Sequence, residues 1–180
     1  QDYSLVLGGK ESESGSYLVI IEGGQIDSGD EGDIFEIALT PQLVKRFEDR
    51  FGFVPTLWHS NLGEKKRRKN WWQVATGKAR VIVGARSALF LAYQDLRLVV
   101  VDEEHDSSYK QEEVFRYHGR DMSVALSHLW HCPAVLCSAT PSIETWQNVV
   151  SGRYERLMLE GRYAGASLPK MALVDIKEQN

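Results

Sequence analysis

Asp102, Glu103, Glu104 and His105 stand in an unbroken row directly after the apolar run Leu98-Val99-Val100-Val101. Carboxylates and an imidazole gathered at one point can do metal and proton chemistry. One acid can hold Mg²⁺, directly or through water, while its neighbour orients and polarises an attacking water. Asp102 suits the first role and Glu103 the second. The bland alternative is a buried strand followed by an exposed acidic loop, and these residues alone do not separate the two.

The elements that would position them follow from the run itself. Short, continuous apolar runs read as strands buried on both faces, as in a parallel sheet. Charge is costly to bury, so the strand should end where the acids begin. In open α/β sheets, ligands sit just beyond the carboxyl ends of the strands. Arg80 to Gly84 and Ala134 to Cys137 read as two more buried strands. The first runs into Gly84-Ala85-Arg86-Ser87-Ala88-Leu89-Phe90, where an Arg and a hydroxyl could accept a phosphodiester, or simply make a turn. The second runs into Ser138-Ala139-Thr140-Pro141-Ser142, with Ser142 placed to cap a helix to about Val150. Phe35 to Gln42 should end a strand and open a helix, with Thr40 as its cap, Pro41 in its first turn and Gly52 as its stop.

Phe53 to His59 should be a strand limited by Pro55, and Met122 to Trp130 a helix. Tyr154 to Leu159 and Ala172 to Ile176 are further candidate strands. Asn61 to Thr76 reads as a helix carrying Lys65-Lys66-Arg67-Arg68-Lys69 and Trp71-Trp72. Basic residues beside aromatics could serve single-stranded nucleic acid; a solvated face with one of the tryptophans in the core is the favoured reading. Between Asp106 and Asp121, Tyr109, Phe115, Tyr117 and His118 alternate with Lys110, Arg116 and Arg120. Aromatics in a polar loop have little core to fill, and base stacking is favoured over packing there.

Strands and helices alternate, and the chemistry-bearing residues collect at one end of the strands. That pattern predicts an α/β fold, a doubly wound, mostly parallel sheet. The 180 residues, 43% hydrophobic, suffice for one such domain. A net charge of -4 gives no global nucleic-acid signature, so any such contact must be local. Cys132 and Cys137 form no CxxC pair and read as reduced, buried thiols in a cytosolic protein, not zinc ligands or a disulfide. No stretch looks long and apolar enough for a membrane span, no signal peptide opens the chain, and no internal repeat occurs.

Residues 8 to 33 have a different texture, rich in Gly, Ser, Glu and Asp. Apart from Tyr17-Leu18-Val19-Ile20-Ile21 they read as loop or disorder. A phosphate loop of the form GxxxxGK[ST] belongs near here and is absent. Glu11 follows Gly9-Lys10 where a hydroxyl should stand, and Ser4 replaces the first Gly, so Lys10 reads as a solvated lysine.

Asp102-Glu103-Glu104-His105 and Ser138-Ala139-Thr140 resemble motifs II and III of superfamily 2 helicases. The longer stretch through Asp106-Ser107-Ser108-Tyr109-Lys110-Gln111 resembles the PriA family of primosomal replication-restart helicases. So does Phe115-Arg116-Tyr117-His118-Gly119-Arg120-Asp121. Glu36 to Gln42 resembles that family's motif Ia, Gly84 to Phe90 its motif Ib, and Cys137 to Thr145 its motif III region. The likeness runs from about Glu36 to the C-terminus.

The resemblance implies a RecA-like first motor lobe, partial over 36–180 and incomplete at the N-terminus, with residues 1–35 a degenerate remnant of the phosphate-loop region. It implies an ATP-driven DNA helicase of 3′ to 5′ polarity in the bacterial cytoplasm. Such an enzyme acts at stalled replication forks and assembles the primosome with partner proteins. Its cofactor would be Mg-ATP, with no zinc. Asp102 (Mg, through water) and Glu103 would be catalytic. His105, Ser138 and Thr140 would couple nucleotide to DNA, and Arg86, Ser87, Tyr109, Lys110, Phe115, Arg116 and Tyr117 would meet DNA. Leu5 to Gly8, Tyr17-Leu18 and Gly23-Gly24-Gln25 echo the flanks of the family's phosphate loop. Compensating frameshifts would explain the scrambled stretch between them, and the other two reading frames should then encode the loop. The family's N-terminal DNA-binding regions, zinc-binding cysteines and second motor lobe have no counterpart here, so the sequence reads as a fragment that is inactive alone. The alternatives are a non-enzymatic single-stranded DNA-binding module and a degenerate gene product.

Overall fold

A computed structural model describes residues 15–20, 41–111 and 115–159. Five strands form one sheet: β1 (Ser16–Ile20), β2 (Thr56–Trp58), β3 (Val81–Gly84), β4 (Leu96–Val101) and β7 (Ala134–Leu136). Their order is β2-β3-β1-β4-β7, and every pairing is parallel. Helices α1 (Pro41–Phe51), α2 (Glu64–Ala75), α3 (Gly119–Leu129) and α4 (Ile143–Val150) separate or follow the strands. Two short strands between β4 and α3, β5 (Lys110–Gln111) and β6 (Tyr117–His118), pair antiparallel.

The period of two along each strand splits the core into two layers. Leu18, Ile82, Val99 and Val101 face one way, against Val74 of α2 and Leu126 of α3. Val19, Val81, Val83 and Val100 face the other, against Phe47 of α1 and Phe53. Both faces of the sheet are thus covered, which is why β3 reads as an unbroken apolar run. This is the doubly wound parallel α/β architecture of a RecA-like lobe.

Polar ties fix the layers. Asn70, buried on α2, donates to the Leu57 carbonyl at 2.8 Å and so holds the helix to β2. Ser16, buried at the start of β1, donates to the Ala79 carbonyl at 2.7 Å. Gly84 ends β3 where no side chain fits: a Cβ there would stand 2.7 Å from the Trp58 carbonyl oxygen. Gly52, at φ +73°, closes α1, and the Ser142 hydroxyl accepts the Thr145 N–H at 3.3 Å to cap α4, both as expected.

Several expectations need correction. Residues 16–20, read as part of a degenerate stretch before the motor domain, form the middle strand of the sheet, between β3 and β4. Neither Trp71 nor Trp72 enters the core: they are 42% and 59% exposed, because α2 buries the phase of Asn70 and Val74 instead. Tyr154 to Leu159 is not a strand but irregular chain, half-buried at Tyr154 and exposed beyond it. The phosphate-loop region with Lys10, the Phe35-to-Thr40 approach to α1 and the Ala172-to-Ile176 strand lie outside the described residues. Cys132 and Cys137 are free and half-buried. Among the described residues no helix is long and apolar enough to cross a membrane.

Candidate nucleotide and DNA site

β4 carries its apolar residues into the core and stops at Val101, whose register partner on β1 is Ile20 and on β7 is Leu136. The chain crosses from β3 over β1 to reach β4, so the ends of β1 and β4 flank the point where the strand order reverses. That is where open α/β sheets place ligands. Asp102 and Glu103 emerge there, both half-buried.

The turn that holds them is tightly bonded. Glu103 adopts φ +45°, a left-handed backbone that a Glu seldom takes. Its N–H donates to Asp102 Oδ1 at 3.0 Å, and its carbonyl accepts the Asp106 N–H at 2.8 Å. Asp106 in turn accepts the Ser108 N–H at 2.8 Å, starting the 3₁₀ turn Ser107–Tyr109. Tyr109 is fully buried, and its hydroxyl donates to the Asp102 carbonyl. The surface stacking role expected for Tyr109 is therefore corrected: its ring lies in the core and braces the acid turn.

The third acid behaves unlike the other two. Glu104 is 1% exposed, against the expectation that the row of acids ends burial. Its carboxylate accepts from the Ser142 N–H at 2.7 Å, the Ser142 hydroxyl at 3.0 Å and the Thr145 hydroxyl at 2.8 Å. Arg120 of α3 adds Nη1 at 3.3 Å. Burial pushes the Glu104 carboxyl upward, but the Ser142 N–H, the two hydroxyls and Arg120 outweigh it and hold it below the usual range. For Arg120, burial disfavours the charge, while Asp121 and Glu104 overcome this and raise it. The burial is compensated, and the acid turn is bolted to the starts of α3 and α4.

A second link joins the turn to the segment after β7. His105 Nδ1 and the Ser138 hydroxyl share a hydrogen bond of 2.7 Å, with the donor set by the imidazole tautomer. The same hydroxyl accepts the Thr140 N–H at 3.0 Å. Backbone bonds run alongside, Glu104 N–H to the Cys137 carbonyl at 3.0 Å and Cys137 N–H to the Val101 carbonyl at 2.8 Å. Burial first, then Asp102 and Glu103, push the Cys137 thiol up to about 11, so it stays protonated near neutrality.

Of the residues expected to meet DNA, Ser87, Lys110, Phe115 and Arg116 are exposed, and Arg86 and Tyr117 half-buried. Arg86 and Tyr109 meet across Gly119, where a Cβ would lie 3.0 Å from the Tyr109 ring and 3.1 Å from Arg86 Cγ. Phe90 packs edge-on to Tyr117 at 5.4 Å, so the two segments form one aromatic surface, with Phe115, 79% exposed, on the same short connection. Among the described residues no group of three or more His, Cys, Asp or Glu could hold a metal ion. Mg²⁺ does not need one, since it takes one or two carboxylates and fills its octahedron with water and phosphate oxygens. Residues missed by sequence reasoning are Arg120 and Thr145, whose partner Glu104 is remote in sequence, and Ser142 in its second role.

Residues 36–149 match the DEAD/DEAH box helicase family. Replication restart protein PriA of Rickettsia felis is 41% identical over 144 residues, covering 80% of this chain and 22% of that protein. PriA of Bacillus subtilis is 41% identical over 144 residues, covering 80% of this chain and 18% of that protein. PriA of Chlamydia pneumoniae is 42% identical over 142 residues, covering 78% of this chain and 19% of that protein. The chain thus spans about a fifth of the length of these relatives. On its sequence and its acid turn alike, the chain belongs to the DEAD/DEAH box helicase family, as a PriA-like segment of it.

Proposed function

We propose that this chain is part of the first motor lobe of a 3′ to 5′ DNA helicase of replication restart, working in the bacterial cytoplasm with DNA and primosome proteins. The observation that carries the reading is the delivery of Asp102 and Glu103 to the switch point of the sheet, on a turn bonded through His105 to Ser138, whose hydroxyl in turn accepts the Thr140 N–H. Asp102 would hold Mg²⁺ through water beside a nucleotide, and the metal would neutralise charge developing on the phosphates. Glu103, held in its left-handed conformation, would orient water. His105 and Ser138 link the acid turn to the segment after β7, and through it a change at the nucleotide would reach DNA. Arg86, Ser87, Lys110, Phe115, Arg116 and Tyr117 would meet the DNA backbone and bases.

Phosphoryl transfer also needs a phosphate cradle and, in most such motors, an arginine finger. The described residues supply neither. Loss of an arginine finger alone costs on the order of 10³-fold in rate or more. The isolated chain should therefore release no phosphate above a Glu103→Gln control, with or without DNA. DNA-dependent release that Glu103→Gln abolishes would overturn the inactive reading. A non-enzymatic DNA-binding role is favoured by the exposure of Phe115 and the Phe90–Tyr117 pair. Salt-sensitive binding of single strands that Phe115→Ala weakens would support it.

A further inference from the structure

α2 is the most basic element of an acidic chain, and its packing does not explain its composition. At 100° per residue, Lys65, Arg68, Lys69 and Trp72 fall on one face: Arg68 and Lys69 both lie three or four residues from Lys65 before them and from Trp72 after them. The opposite face carries the two buried residues, Asn70 and Val74. Arg67, in the phase of Asn70 and Val74, is already engaged, lying over the Trp58 ring at 5.3 Å and donating to the His59 carbonyl at 3.3 Å. The side chains of Lys65, Arg68 and Lys69 are exposed and, among the described residues, make no ion pair or hydrogen bond. Trp72 sits between Arg68 and Lys69, more than half exposed, with Trp71 beside it. The two indoles lie 6.4 Å apart at 40°, so they are not stacked on one another.

We propose that this outer face of α2 is a second docking strip for single-stranded DNA, built from Lys65, Arg68, Lys69 and Trp72. Three cations in a row match a phosphate backbone, and an exposed indole among them offers a base a stacking surface. The net charge of -4 makes the concentration local, not a by-product of composition. A lipid surface fits less well: interfacial helices bury a broad apolar face, whereas this face is apolar only at its tryptophans. α2 starts just beyond the carboxyl end of β2, whose Trp58 pairs with Gly84 at the end of β3. The strip thus begins at the same edge of the sheet as Arg86 to Phe90 and runs about 10 Å down the side of the domain. The inference stands on α2 alone and does not rest on the acid turn binding nucleotide.

The test is fluorescence anisotropy of a labelled oligothymidylate with the full chain across a salt series. The chains compared are wild type, the triple variant Lys65→Gln/Arg68→Gln/Lys69→Gln, Trp72→Ala, Trp72→Phe and Phe115→Ala. All these side chains are exposed, and unchanged urea midpoints check that the fold is intact. In the triple variant, the slope of log affinity against log salt should become shallower by about 2, from roughly 0.7 per lost phosphate contact. Trp72→Ala should weaken binding on the order of tenfold, and Trp72→Phe should keep most of it. A wild-type chain that fails to bind overturns the proposal. So does a triple variant with the wild-type salt slope, or binding lost only in Phe115→Ala. Phosphatidylserine vesicles captured through the strip, with oligothymidylate binding unaffected by the triple variant, would assign the face to lipid instead.

Discussion

Removing the Glu104 carboxylate should cost more stability than removing either acid beside it. Glu104 accepts four hydrogen bonds and is 1% exposed, so Glu104→Ala strands donors that water cannot reach. Breaking a buried ion pair from one side costs about 3–5 kcal/mol. Arg120 would retain the exposed carboxylates of Asp121 at 2.9 Å and Glu144 at 3.9 Å, which pulls the cost toward the lower end, about 3 kcal/mol. With a urea slope of about 2 kcal/mol/M, the midpoint should fall by roughly 1.5 M with the slope unchanged. Glu104→Gln keeps the shape and one acceptor but turns an N–H₂ toward Arg120, and should cost about 1–3 kcal/mol. The charge also sets a pH dependence. The folded-state carboxyl lies below its ordinary value of 4.5, so its contribution is fully present above that value and is lost as pH falls through the folded value. Urea melts of wild type and Glu104→Gln should therefore converge in acid. A Glu104→Ala midpoint equivalent to less than about 0.5 kcal/mol, the range of an ordinary surface change, would refute the reasoning.

Gly119→Ala should destabilise by about 1–2 kcal/mol, because its methyl would stand 3.0 Å from the Tyr109 ring and 3.1 Å from Arg86 Cγ; a thermal melt with no shift would contradict it. Tyr109→Phe keeps the ring and removes the hydroxyl that donates to the Asp102 carbonyl, for a loss of about 0.5–1.5 kcal/mol by urea titration. Cys137 should react slowly with a disulfide reagent at pH 8 and speed up as pH climbs toward about 11, whereas a fast, pH-flat reaction at pH 8 would rule out the protonated, buried thiol.

The sequence made the site-bearing elements plain where local pattern and packing agree. The apolar run into Asp102 is continuous because β4 is covered on both faces, and Ser142 announces α4 because a cap acts within three residues. β1 was hidden because its apolar residues sit among glycines, serines and acids, and what makes it a strand is pairing with β3 and β4, far along the chain. Glu104 and Tyr109 were hidden for the same reason. A carboxylate looks exposed until Arg120, Ser142 and Thr145 are brought to it, and an aromatic in a polar loop looks available until it folds under the turn. The exposure of Trp72 was legible: once Val74 is taken as the buried phase, a residue two positions away cannot share it, whereas Trp71, three positions away, could have.

The central claim is that the acid turn still serves a Mg-nucleotide, and a titration of the folded chain with a fluorescent ATP analogue tests it most directly. Binding that requires Mg²⁺ and weakens on Asp102→Asn is the predicted result. A cooperatively folded chain that binds no nucleotide, or binds it equally well with Asp102→Asn, would contradict the claim.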